Sequence, residues 1–167
     1  ASSSDRLLTV KRVVEGRERA AVLAFIERIA YASHGASPPP PPQVLFAAYR
    51  GRVVIGSASL DFGGERFPLP LEHTWEWDRS QSPFPFVRDQ IAQFGRWMAS
   101  ESGVSVALIY TITAFARACR KRYCLCEAKE PIRRHLRKLG ITLHGIPHAR
   151  LFLERVPEQG QRYYATK

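Results

Sequence analysis

The stretch that most constrains this chain is Ile91–Ser105, which leads directly into an apolar run ending at Arg122. Alternation predicts a strand with Ile91, Gln93, Gly95, Trp97 and Ala99 on one face and Ala92, Phe94, Arg96 and Met98 on the other. Neither face is purely polar, so the strand is expected to be buried on both sides. Arg96 then needs a carboxylate partner, because an unpaired buried cation is very costly. The turn Ser100–Ser105 follows, and a helix is predicted over Val104–Arg122. Gly103 and the flanking serines set backbone N–H groups where a helix N-terminus can hold an anion, a diphosphate in particular. The same residues suit a plain strand–helix corner capped by Ser102, and both readings stand.

The predicted helix carries Val104, Leu108, Ile112, Phe115 and Cys119 in one stripe, beside a thin face of Ala107, Ala114 and Ala118. A helix so apolar is expected against a sheet. Upstream, Leu7–Val14 reads as a strand and Arg17–Ala32 as an amphipathic helix, with Val22, Phe25, Ile26 and Ile29 spaced for one face and Gly35 as the stop. Pro38–Pro42, within a proline-rich loop over 37–43, is a stiff polyproline spacer. Val44–Tyr49 and Val53–Leu60 form a hairpin around Arg50-Gly51-Arg52. The small residues Gly56–Ser59 suit close approach of another layer or a ligand. Residues 61–88 make a loop rich in Pro and aromatics, placed over the site, whose tryptophans and phenylalanines argue against disorder.

Downstream, Tyr123–Ala128 is predicted as a strand, Pro131–Gly140 as a helix, Ile141–Ile146 and Leu151–Val156 as strands, and Arg162–Thr166 as an edge strand. This order defines an α+β fold. It is an α/β/α sandwich with a mixed, mostly antiparallel sheet flanked by helices, in one domain spanning 1–167.

The apolar fraction of 45% suits a sizeable core, and no run approaches the ~20 apolar residues of a membrane span. Ala1–Arg6 lacks a secretion signal's apolar centre, so a cytoplasmic protein is expected. The net charge of +10 predicts attraction to something acidic, with basic residues grouped at Arg117–Arg122 and Arg133–Lys138. Peripheral membrane contact stays open. Nucleic acid is disfavoured, because the basic residues do not interleave with aromatics in any recognised binding motif. Cys119, Cys124 and Cys126 lack zinc-type spacing, which predicts buried reduced thiols and no metal.

The element order, with a glycine-containing turn between a central strand and a buried helix, resembles the GNAT acyltransferases. That family's turn follows Gln/Arg-x-x-Gly-x-Gly/Ala, and Ser100-x-x-Gly103-x-Ser105 shares its spacing. Two branches resemble the chain further. Gln93-Phe94-Gly95-Arg96 is similar to the Glu-x-[Ser/Gly]-Arg segment of acyl-homoserine lactone (autoinducer) synthases, with the acid lost. Tyr31…His34-Gly35-Ala36, Pro68–Glu72 and Tyr163-Tyr164 are similar to segments of thermostable-hemolysin-like proteins.

The resemblance implies an N-acyltransferase moving an acyl group from acyl-CoA, or from the 4'-phosphopantetheine arm of an acidic acyl carrier protein, to an amine or amino acid. The donor is expected on the backbone around Trp97, Met98, Ser102, Gly103, Val104 and Ser105. Gln93 cannot act as a base, so Glu72, Glu76 and His73 in the aromatic loop are the candidate proton acceptors. Arg96 would either pair with Glu72 or Glu76, or grip an acceptor carboxylate. Phe84, Phe86, Trp97 and the small residues of Gly56–Ser59 would line an acyl slot, and Arg133–Lys138 would dock a carrier protein. The competing reading is a non-catalytic acyl-thioester-binding or interaction module of the same fold.

Overall fold

The computed structural model describes residues 7–36, 41–64 and 67–165. Its main sheet has five strands in the order β1-β2-β3-β5-β6: β1 (Leu8–Val13), β2 (Val44–Arg50), β3 (Val53–Phe62), β5 (Ile91–Ala99) and β6 (Tyr123–Leu125). The first four pair antiparallel, and β6 joins β5 parallel. A second, two-stranded sheet pairs β4 (Trp75–Glu76) with β7 (Arg150–Leu151).

Helix α1 (Gly16–His34) covers one face of the main sheet with Val22, Phe25 and Ile26. It stops where Gly35, at φ +60°, turns left-handed and donates its N–H to the Tyr31 carbonyl. Helix α2 (Val104–Ala118) covers the other face through Val104, Leu108, Ile109, Ile112 and Ala116. Each such buried aliphatic side chain stabilises the fold by roughly 1.5–3 kcal/mol. The close seat of α2 depends on Gly56 in β3, where an added Cβ would lie 2.8 Å from Leu108 Cδ1 and 2.9 Å from Val104 Cγ1.

Several expectations need correction. Helix α2 ends at Ala118, and its Ala114 and Ala118 side is exposed, so the helix is buried along one stripe and not all round. Residues 141–146 form no strand, and after β7 a short 3-10 turn occupies Leu153–Arg155. The expected edge strand near Arg162 is instead helix α4 (Glu158–Ala165), with Thr166 outside the described residues. Alternation alone cannot separate a short amphipathic helix from a strand when the segment is this brief. The 61–88 segment carries β4 and two 3-10 turns, with a third beginning at Arg88, so it is partly regular. Most of the proline run lies outside the described residues; Pro42 accepts a hydrogen bond from Arg19 Nη2 at 2.6 Å. Cys124 and Cys126 are exposed free thiols, not core residues, because β6 is too short to carry them under a helix.

Candidate active site

β5 and β6 share only the registered pairs Ile91↔Tyr123, Ala92↔Cys124 and Gln93↔Leu125. β6 then ends while β5 runs on to Ala99, so the sheet opens between them. β5 itself is distorted there. Ser57 faces Met98 and Ser59 faces Gly95, so two residues of β5, Arg96 and Trp97, stand against Ala58 alone. Arg96 takes φ +47°, and its carbonyl accepts a hydrogen bond from Ser57 Oγ at 2.8 Å. The bulge shifts the side-chain phase. Trp97 falls on the Phe94 side, ring centroids 5.7 Å apart, instead of alternating away from it.

β5 leads through Ser100, whose N–H and Oγ both bind the Ile55 carbonyl, to the N-terminus of α2. Gly103 is the N-cap residue at φ +80°, and no side chain caps the helix, so the Ser102 cap expected from the sequence does not form. The amides of the first turn lack intrahelical partners by geometry, and a Cβ on Gly103 would meet nothing within 4 Å. Close by, Trp97 Nε1 donates to the Ser105 carbonyl at 2.9 Å, and Ser105 Oγ lies 3.2 Å from His135 Nε2 on helix α3 (Glu130–Lys138). The His135 ring stacks on Trp97 with centroids 5.3 Å apart. α3 therefore packs against the first turn of α2.

A cavity of about 1210 Å³ runs through the opening between β5 and β6. Phe94, Ile109 and Ile112 line it from the α2 face, and Leu71, Trp75 and Phe84 from the other. Arg96, Trp97, Glu72, His73 and Glu76 do not line it.

The sequence candidates are thus spread out. Glu72 is 5 % exposed and is held by Arg88 through both carboxylate oxygens, by Arg79 at 2.6 Å and by the Leu69 N–H at 2.6 Å. Burial opposes its ionisation, but the Arg88 and Leu69 hydrogen bonds and the arginine charges outweigh it and hold the carboxyl below its ordinary range. His73 is exposed, and Glu76 is exposed and paired with Arg155 at 2.6 Å. Arg96 pairs with neither glutamate. Its Nη1 lies 3.3 Å from Ser59 Oγ and 3.8 Å from Asp61 Oδ2, on the α1 side of the sheet. Burial pushes the guanidinium pKa down, with Asp61 opposing and Arg19 adding to the shift. Gln93 turns its Oε1 to the Leu71 N–H at 2.8 Å and so ties the aromatic segment to β5.

The groups that the sequence reading missed are Glu127 and its donors. Glu127 accepts from Trp75 Nε1 at 2.6 Å and from the Tyr164 hydroxyl at 2.7 Å, and all three residues line the cavity. Burial and then the Glu127 charge push the Tyr164 hydroxyl up. Tyr163 is raised in the same way, its ring meeting His34 edge-on at 4.8 Å. Desolvation lowers Lys129, which donates to the Tyr163 carbonyl with its Nζ 4.3 Å from that ring's centroid. A signal was present: the Tyr163-Tyr164 and His34 segments stood out as motifs, but only the fold brings them together. Glu127 lies two residues past the end of β6, inside the span for which the alternation predicts a strand.

No protein-family model and no curated protein matches the chain. Among solved structures it is similar to a predicted acetyltransferase with acetyl-CoA from Clostridium acetobutylicum, at 11% identity and TM-score 0.61 over 90% of this chain and 99% of that one. It is similar also to a Trypanosoma brucei acetyltransferase, at 15% identity and TM-score 0.55 over 83% and 95% of the two chains. A GCN5-related N-acetyltransferase from Ralstonia eutropha JMP134 aligns at 9% identity and TM-score 0.54, over 83% and 94%. The fold is that of the GNAT acetyltransferases. Among the described residues no helix is long and apolar enough to cross a membrane.

Proposed function

We propose that the protein is an N-acyltransferase that moves an acyl group from a coenzyme A or phosphopantetheine thioester to an amine. The observation that carries this reading is the opening of β5 from β6, on the strand that leads into the glycine-capped N-terminus of α2, where no side chain caps the helix. The amides of that turn suit a diphosphate, and the cavity suits the acyl group and acceptor. A solved structure of the same fold holds acetyl-CoA, which supports this donor class. The segments similar to the thermostable-hemolysin-like branch support it too, since residues of all three (Leu71, Tyr164 and, through Tyr163, His34) gather at or beside the cavity.

The proton acceptor in this reading is Glu127 in place of Glu72, Glu76 or His73. It faces the cavity with neutral donors on both oxygens, and continuing the parallel register would set it opposite Gly95 across the opening. The amine proton passes to Glu127 as the C–N bond forms and the C–S bond breaks.

Isothermal titration with acetyl-, octanoyl- and palmitoyl-CoA tests the reading. Saturable heat with at least one of them is expected, weakened when Gly103 becomes Val. No heat with any would remove it. A non-catalytic acyl-thioester-binding module is the second reading, favoured by Gln93, whose amide is spent on the Leu71 N–H. Free-thiol release separates the two.

A further inference from the structure

Glu127 differs from the other carboxylate on the cavity wall. Glu130 pairs with Arg133 at 2.5 Å and with Arg137 at 3.7 Å. Among the described residues Glu127 forms no ion pair, and its oxygens take neutral donors, the Trp75 indole N–H and the Tyr164 hydroxyl. Each carboxylate oxygen keeps a lone pair for another donor. Trp75 and Tyr164 meet it with their polar edges, and Tyr163, whose ring carries Lys129 Nζ 4.3 Å from its centroid, lines the same wall. Apolar walls, including Leu71, Trp77, Phe84 and Tyr123, continue the same cavity. Its volume of about 1210 Å³ lies at or above the roughly 300–1,000 Å³ of pockets that hold drug-sized ligands, so it has room for an acceptor larger than a small amine.

We propose that Glu127, aimed by Trp75 and Tyr164, recognises the acceptor, and that the acceptor is a primary amine on a sizeable apolar body with no carboxylate on the amine-bearing carbon. This rests on the acyl-transfer reading. An α-amino acid bound through its ammonium would bring its own carboxylate against Glu127, and that repulsion costs about tenfold or more in affinity. Arg96 cannot offset it from the far face of the sheet, where it meets Ser59 and Asp61. The cavity wall also holds Arg117, Lys121, Arg122, Lys129, Arg133 and Arg137, so an organic anion is the competing occupant.

The full chain is titrated by tryptophan fluorescence with 4-phenylbutylamine, 4-phenylbutan-1-ol, 4-phenylbutyrate and 2-amino-5-phenylpentanoate. The amine is expected to bind at least tenfold tighter than the other three. Glu127→Gln should erase that preference with the melting temperature held. Tyr164→Phe, which keeps the ring and loses the donor, should reduce it severalfold. Tighter binding of the acid or the amino acid, or an unchanged preference in a folded Glu127→Gln protein, overturns the proposal. Should Glu127→Gln fail to fold, Tyr164→Phe decides alone, and an unchanged preference there overturns it. Coenzyme A titrated into the same samples separates the two readings. Coenzyme A binding without amine preference sinks the acceptor proposal alone. Amine preference without coenzyme A binding leaves the amine site and removes acyl transfer.

Discussion

Glu72 carries Arg88, Arg79 and the Leu69 N–H on one nearly buried carboxylate. It works as an anchor for the segment between β3 and β5. Its folded pKa lies below the ordinary value because those donors outweigh burial, so its stabilisation is complete above the ordinary carboxylate pKa. That stabilisation fades as the pH falls through the lower folded value. Glu72→Gln is expected to cost about 1.5–3 kcal/mol at neutral pH, the worth of hydrogen bonds to a charged group, discounted towards the lower figure because Arg79 is half exposed. Thermal melting against pH checks this: the gap between wild type and variant should narrow on acidification, and parallel curves would assign the stability elsewhere. Arg96 is the second buried charge, and Asp61 at 3.8 Å answers it from the neighbouring strand.

Among the elements, β5 decides most. Its bulge at Arg96 and Trp97 turns Trp97 towards α2 and α3, while its early separation from β6 leaves room for the cavity. The pairing of α2 with β3 depends on a missing side chain. Gly56→Ala would put a Cβ 2.8 Å from Leu108, 2.9 Å from Val104 and 3.0 Å from the Met98 carbonyl oxygen. Flexible tips can yield, but the backbone oxygen cannot, so a loss of about 1–3 kcal/mol is expected, as for other overpacked cores. For a chain of this size that lowers the melting temperature by about 2–4 °C per kcal/mol. An unchanged melting curve would mean that α2 does not sit against β3 this closely.

For the molecule as a whole the distribution of charge matters. The net charge is +10, and Arg133, Arg134 and Arg137 are exposed on α3, next to the turn where His135 reaches Ser105. In the proposed transfer such a face would steer an acidic donor towards the opening between the strands. Reversing the three arginines to Glu is expected to slow association of an acyl carrier protein by tenfold or more at low salt, and by less as salt rises. A free coenzyme A donor should lose less. Equal losses in stopped-flow measurements with both donors would place the effect on the cofactor phosphates.

Local periodicity was enough for α1, for the β2–β3 hairpin and for the strand–turn–helix unit from Ile91 onward, because each spans several turns or a full alternation with glycine at its ends. The cap before that helix was not legible in this way: the sequence offered Ser102, and the left-handed Gly103 takes the position. The tertiary structure alone decided the rest, for three physical reasons. A bulge resets side-chain phase, so Trp97 left the face that alternation assigned it. A charge takes whichever partner lies across the sheet, so Arg96 met Asp61 and not a loop glutamate. And groups far apart in the chain come together: Trp75, Glu127 and Tyr164 meet only when α4 brings the Tyr164 hydroxyl to Glu127, a meeting that no spacing along the sequence records.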